Sequence, residues 1–345
     1  AAARAPVARA QSRYVCQACG VAVLRWEGQC RGCGAWNSLV ETVVREAPRR
    51  ASARTTAGAL QPIALAAAGP LEDDERLSIG IGELDRVLGG GVVAGSVVLL
   101  GGEPGIGKST LLMQVAAGIA ARAGGGTVLY ATGEESVAQV RLRARRLGLA
   151  SGPLGDAIRV VAATEVGGIA TLAREERPAL LVVDSVQTIV SEELDGPPGS
   201  VGQVREATLR LTEVAKVEGI PVVLVGHVTK DGTLAGPKTL EHLVDVVLGL
   251  EGDRSGGLRL LRAAKNRYGS TEEVGVFEMG ARGLVEVADP ARAFLVEHDA
   301  PAPGSVVAPT LEGSRTLLVE VQALVAPTGA PSPRRTASGV DPGRL

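Results

Sequence analysis

Gly102-Glu103-Pro104-Gly105-Ile106-Gly107-Lys108-Ser109 is the stretch on which the reading of this chain turns. It matches G-x-x-x-x-G-K-[ST], a loop whose glycines let backbone N–H groups point inward around the phosphates of a nucleoside triphosphate. The helix that follows such a loop adds the positive end of its dipole. In this pattern Lys108 reaches the β and γ phosphates and Ser109 offers a hydroxyl to Mg²⁺. The residues from Gly102 to Thr110 are therefore the candidate nucleotide contacts. The flanks agree: Ser96-Val97-Val98-Leu99-Leu100 reads as a buried strand, and Leu111, Leu112, Val115, Ala116 and Ile119 recur at helical spacing. Gly124-Gly125-Gly126 is placed to close that helix.

Working outward, the 345 residues are 45% hydrophobic, enough for a substantial core and for two or three domains. The net charge of −2 is unevenly spread. Residues 1–60 carry nine arginines against three glutamates, a local balance of 9 − 3 = +6, so the amino-terminal region is basic, either as a solvated arm or as a phosphate-contacting one. No apolar run of 18 residues occurs, and arginines interrupt the start where a signal peptide needs its apolar core. The expectation is a cytoplasmic protein without membrane contact.

The chain's four cysteines fall in one short stretch, Cys16-x-x-Cys19 and Cys30-x-x-Cys33. This is zinc-ribbon spacing: each pair turns two thiolates toward one ion. So small a module buries too little surface to fold alone, whereas structural Zn²⁺ contributes roughly 10–16 kcal/mol. Trp26 and Trp36, the only tryptophans, read as the small core of the ribbon in preference to a base-stacking platform. The organisation expected is a disordered start at 1–11, the ribbon at 12–42, a linker at 43–74 and an α/β domain with a mainly parallel sheet at 75–286. A last segment covers 287–345. Within the α/β domain, Thr127–Tyr130, Leu180–Asp184 and Val222–Val228 read as strands, and Val137–Leu147 and Val204–Val217 as helices. Val244–Leu250, Leu258–Ala264 and Glu273–Met279 read as later, antiparallel strands.

Leu180-Leu181-Val182-Val183-Asp184 ends an aliphatic strand in a carboxylate, where ligands of such sheets bind; Asp184 is the candidate holder of Mg²⁺. Hydrolysis also needs a group to orient or deprotonate the attacking water. Of the pair Glu134-Glu135, Glu134 is assigned that task and Glu135 a helix-start charge. His227, at the end of Val222–Val228, is a candidate γ-phosphate sensor. The loop beyond it carries Lys230 and Lys238.

Taken in order, the four-cysteine ribbon, G-E-P-G-I-G-K-S-T, T-G-E-E-S at 132–136, V-V-D-S at 182–185, G-H-V-T-K-D-G at 226–232 and K-N-R-Y-G at 265–269 resemble the bacterial RadA (Sms) family of DNA repair proteins. The resemblance spans essentially the whole chain. It implies a RecA-like ATPase core using ATP, Mg²⁺ and Zn²⁺, assembled as a hexameric ring. It further implies branch migration on single-stranded and branched DNA together with the RecA recombinase. Lys265 and Arg267 would then reach the γ-phosphate bound by a neighbouring subunit, a cation supplied where transition-state charge develops. The loops 192–202 and 229–238 would face DNA, with Lys230 and Lys238 as contacts. Residues 304–325 resemble the opening strands of that family's α+β Lon-protease-like domain, which this chain would carry in incomplete form. The alternative from another class is a regulatory ATPase that binds protein partners. With 2% aromatic residues the chain offers no general stacking platform, so backbone electrostatics would dominate any DNA affinity.

Overall fold

The computed structural model describes residues 11–44, 76–122, 126–226, 239–252, 257–287 and 303–327, with isolated positions at 289–290, 295, 329, 332, 335–340 and 343. The first ten residues, most of the expected linker, Gly124 and Gly125, and the candidates His227, Lys230 and Lys238 lie outside these. Two compact units are present, residues 1–288 and 289–345.

The ribbon is a three-stranded antiparallel sheet in the order β2-β1-β3, formed by β1 (Gln11–Cys16), β2 (Ala22–Val23) and β3 (Leu39–Val44). The short β4 (Arg76–Leu77), helix α1 (Gly82–Leu88) and β5 (Val92–Val93) lead into the main domain. There follow β6 (Val97–Gly102), α2 (Lys108–Ala120), β7 (Val128–Thr132), α3 (Val137–Arg146), α4 (Gly152–Ala157), β8 (Ile158–Ala162), α5 (Val166–Glu176) and β9 (Leu180–Asp184). Then come α6 (Val201–Glu218), β10 (Val222–Val225), α7 (Thr239–Leu243), β11 (Val246–Gly252), β12 (Leu258–Asn266), β13 (Val274–Gly280) and β14 (Gly283–Glu286).

These strands make one nine-stranded sheet in the order β14-β13-β12-β11-β6-β10-β9-β7-β8. The six from β11 to β8 run parallel, and β12, β13 and β14 continue as an antiparallel meander. Every residue of β6, β7, β9 and β10 is buried, as expected of parallel strands covered on both faces. Alternation sorts the side chains. Val98, Leu100, Tyr130, Val182 and Val223 pack with Leu84 and Val87 of α1 and with Leu111, Leu112 and Val115 of α2. Val97, Leu99, Leu129, Leu181 and Leu224 pack with Ile169 and Ala173 of α5 and with Val204, Leu211 and Val214 of α6.

One sequence expectation is corrected here. Val244–Leu250, read as an antiparallel strand, forms β11, which pairs parallel with β6 and antiparallel only with β12. The chain returns from β10 to β11 past α7, and such a crossover delivers a parallel strand. Among the described residues no helix is long and apolar enough to cross a membrane. The second unit contains a hairpin of β15 (Ser305–Glu312) and β16 (Arg315–Gln322), in register from Ser305 with Gln322 to Glu312 with Arg315.

Candidate nucleotide and metal sites

The phosphate loop leaves the carboxyl end of β6 and enters α2 at Lys108. Gly105 and Gly107 adopt φ of 78° and 118°, conformations that favour glycine. A Cβ on Gly107 would lie 2.7 Å from Met279 Cε, and one on Gly102 would lie 2.6 Å from the Leu250 carbonyl oxygen. The Lys108 ammonium is buried and donates to the carbonyls of Gly102 and Glu103 at 2.8 and 2.9 Å. Burial lowers its pKa, against the opposing charges of Asp184 and Glu134. Both carboxylates therefore act on the loop's lysine.

Asp184 ends β9 and stands in register with Thr132, the last residue of β7. It is held from two sides: the Tyr130 hydroxyl donates to its Oδ2 at 2.7 Å, and the Gly133 amide donates to its backbone carbonyl at 2.9 Å. Glu134 follows directly, and its carboxylate accepts a hydrogen bond from the buried Ser185 hydroxyl. The two adjacent glutamates part company. Glu135 turns to Arg143 of α3 at 2.5 Å, and the helix itself begins with a capping box of Ser136 and Gln139. Lys108, Glu134 and Asp184 thus gather at one edge of the sheet. Three further residues shape this edge: Tyr130, Ser185, and Arg259 of β12, whose Nε donates to the Ile106 carbonyl at 3.3 Å. A tyrosine inside an aliphatic buried strand was a legible signal, since a buried phenol needs a partner. Arg259 gave none, because only strand pairing brings it to the loop.

Lys265 and Arg267 occupy the opposite edge. Through β11, Asn266 stands in register with Val98, four residues before Gly102 and so about 13 Å from the phosphate loop. The Lys265 ammonium turns further away, donating to the carbonyls of Glu241 and Val244 at 2.5 and 2.7 Å. Burial and the charge of Arg267 lower its pKa. Arg267, half-exposed, pairs with Asp245 at 3.1 Å. Neither side chain can touch a nucleotide on its own phosphate loop. The described loop at 192–200 carries Glu192, Glu193 and Asp195, an acidic set, and Glu193 pairs with Arg210.

In the ribbon, the ligating atoms of Cys16, Cys19, Cys30 and Cys33 all lie within 4.8 Å of one another. The Cys16–Cys33 and Cys19–Cys30 sulfurs are 3.7 and 3.5 Å apart. A tetrahedral Zn²⁺ with Zn–S bonds of about 2.3 Å sets sulfurs about 3.8 Å apart, so the cluster fits that ion. Burial alone would raise the Cys16 thiol, but the Ser38 hydroxyl and the amides of Ala18 and Cys19 bring it down to about 6. Burial pushes Cys19 up to about 12. For all four to ligate as thiolates, a cation must sit among them. The tryptophan expectation is corrected: Trp26 and Trp36 are 55% and 72% exposed, and the small core is Cys16, Cys30 and Leu39 with Tyr14 and Val23 packed against it.

A phosphate loop, an acidic strand end and an adjacent glutamate on a mainly parallel sheet, joined to a four-thiol ribbon, define a RecA-like P-loop ATPase with a zinc ribbon. Residues 66–233 match the AAA domain family and residues 14–41 the rubredoxin metal binding domain family. The chain is 46% identical over 341 residues to the DNA repair protein RadA of Bacillus subtilis, and 50% identical over 339 residues to that of Pseudomonas aeruginosa. Each alignment covers 98% of this chain and 73% of the relative. The crystal structure of the RadB recombinase is similar to 61% of this chain and 99% of its own, at 23% identity and a TM-score of 0.47. The chain belongs to the RadA family of DNA repair proteins.

Proposed function

We propose that the chain is a DNA-dependent, helicase-type ATPase that works as a hexameric ring, moves on single-stranded and branched DNA, and promotes branch migration with the RecA recombinase. The observation that carries this reading is the separation of the two halves of the chemistry. Lys108, Glu134 and Asp184 gather at the carboxyl edge of the sheet, while Lys265 and Arg267 are anchored at the other. Cations so far from their own loop can meet a triphosphate only on another copy of the chain. A ring in which each subunit completes its neighbour's site accounts for this, and links hydrolysis at one site to movement at the next.

Within one site, the loop amides and Lys108 bind the phosphates, Ser109 and Asp184 hold Mg²⁺, and Glu134 takes the proton of the attacking water. The metal supplies charge neutralisation along the phosphates. Ser185 orients Glu134 and Tyr130 orients Asp184. His227 is the proposed γ-phosphate sensor, Lys230 and Lys238 the proposed DNA contacts, and the hairpin of β15 and β16 the proposed start of a Lon-like domain.

The test is steady-state ATP hydrolysis with and without single-stranded DNA, for the chain and for Arg267→Ala. Arginines supplied in this way are worth about 10³–10⁵ in kcat. The expected result is stimulation by DNA that Arg267→Ala abolishes. A rate indifferent to DNA in both proteins sinks the motor reading. A second reading, an adaptor ATPase that binds protein partners, is favoured by the apolar surface that Leu24, Trp26 and Trp36 expose on the ribbon, and that result would support it.

A further inference from the structure

At the edge of the sheet that carries Lys265 and Arg267 lies the carboxylate that pairs with Arg267. Asp245 precedes β11, and its side chain is 3% exposed. Its Oδ1 accepts from Arg267 Nη1 at 3.1 Å. Its Oδ2 accepts from the Lys216 ammonium at 2.6 Å and from the Val97 amide at 3.0 Å. The backbone doubles the links to Val97 and Arg267: the Asp245 amide donates to the Val97 carbonyl at 2.9 Å, and the Arg267 amide donates to the Asp245 carbonyl at 3.1 Å. Lys216, in the last turn of α6, also lies 3.3 Å from the Tyr268 hydroxyl.

We infer that Asp245 is the positioning residue of the trans-acting cation, holding Arg267 at a fixed angle beyond the sheet edge and tying it to the first residue of β6, the strand that ends in the phosphate loop. This rests on the reading that Arg267 serves a neighbouring subunit. Three features of the geometry argue for it. The carboxylate is buried while Arg267 and Lys216 are 52% and 45% exposed, so the anchor is rigid and the guanidinium extends outward. Arg267 uses one nitrogen on Asp245, which leaves the other side of its planar fork for phosphate oxygens. Lys216 shares the buried charge, so Asp245 stays a partner for one cation when the other turns toward a phosphate. Burial opposes ionisation of Asp245, and the hydrogen bonds from Lys216 and the Val97 amide overcome it, so its pKa is lowered.

A merely structural aspartate would damage its own subunit's site, whereas a positioning residue damages the neighbour's, and subunit mixing separates the two. Asp245→Asn and Lys108→Ala chains, carrying different tags, are co-expressed and purified through both. Asp245→Asn alone is expected to lose about tenfold or more in kcat, because a misplacement of about 1 Å costs as much as 10²-fold, with the KM for ATP within about twofold. In the mixture, half the subunits have an intact loop and half of those meet an intact donor, so about a quarter of wild-type activity should return. Arg267→Ala mixed with Lys108→Ala is the reference. If that pair recovers and the Asp245→Asn pair does not, Asp245 acts within its own subunit and the inference is overturned. If neither recovers, or no doubly tagged assembly forms, the across-subunit reading falls first and takes the inference with it. Binding of a fluorescent ADP analogue checks folding; a variant that fails it is replaced by Asp245→Glu, which keeps the charge and displaces Arg267 by one methylene.

Discussion

Replacing Tyr130 by phenylalanine removes one oxygen from the protein interior and leaves the ring in place. Tyr130 is fully buried, and its hydroxyl donates to Asp184 Oδ2 at 2.7 Å. A hydrogen bond to an ionised partner contributes about 1.5–3 kcal/mol, and no cavity larger than an oxygen is made. In a domain of this size each 1 kcal/mol moves the thermal midpoint about 2–4 °C, so Tyr130→Phe should melt about 3–12 °C lower. The pH dependence has a definite sign. Burial, then the charge of Asp184, raise the phenol well above its ordinary 10.0, so the folded protein keeps a proton that the unfolded chain releases. That contribution is full below pH 10 and is lost as the pH rises beyond it. The gap between the two midpoints should therefore hold from neutral pH upward and narrow only above 10. For function, Asp184 loses the donor that fixes its carboxylate, and each ~1.4 kcal/mol by which that donor favours the metal-holding orientation is tenfold. The Mg²⁺ concentration for half-maximal ATP hydrolysis should rise about tenfold or more. Thermal melts without added Mg²⁺ and a Mg²⁺ titration of turnover read the two effects separately. A lower midpoint with an unchanged Mg²⁺ requirement would refute the orienting role, and unchanged values of both would refute the hydrogen bond.

Lys108→Ala should abolish ATP turnover while leaving zinc content unchanged; turnover that persists means the loop is misassigned. Cys30→Ser should lose bound zinc, measured by elemental analysis, while a fluorescent ADP analogue still binds, because the ribbon and the phosphate loop are separate constructions; equal zinc in the variant rejects the ligand assignment. Leu211→Ala, at a fully buried position of α6, should cost about 2–5 kcal/mol in urea unfolding. A loss below about 1 kcal/mol would mean that α6 does not seal the core face assigned to it.

What was legible in the sequence is what lies close together along it. The phosphate loop, the aliphatic run into Asp184 and the paired cysteines are each contiguous or nearly so, and their chemistry follows from residue type and spacing. The part that was illegible depends on register between distant segments. Asp245 and Val97 meet across 148 positions and Arg259 reaches Ile106 across 153, and neither has a local signal. Strand direction is hidden in the same way: Val246–Gly252 reads alike whether parallel or antiparallel, and only its approach past α7 decides. β8 went unnoticed because it is a half-exposed edge strand that carries Arg159, without the continuous apolar run of its inner neighbours. The tryptophans misled because size suggested a core. In so small a module the cysteines occupy the middle, and large side chains are left outside.

Under the ring reading, the fold makes two unlike ends of a single strand bear on hydrolysis. β6 begins at Val97, held by Asp245 through both its amide and its carbonyl, and ends at Gly102 in the phosphate loop. Its residues are all buried and it is paired on both sides, with β10 and β11, so it cannot shift one end without the other. At about 3.3 Å per residue the two ends are about 17 Å apart. Under the ring reading, a neighbour's phosphate pulling on Arg267 therefore loads Asp245, and through it the strand that carries the subunit's own loop. A coupling of this kind needs no hinge within the strand, only that β6 shifts as one body between two arrangements that both ends bias. It also explains why the first step in testing it must be a mixed assembly. In a uniform mutant every subunit is both donor and acceptor, and the two directions of the effect cannot be told apart.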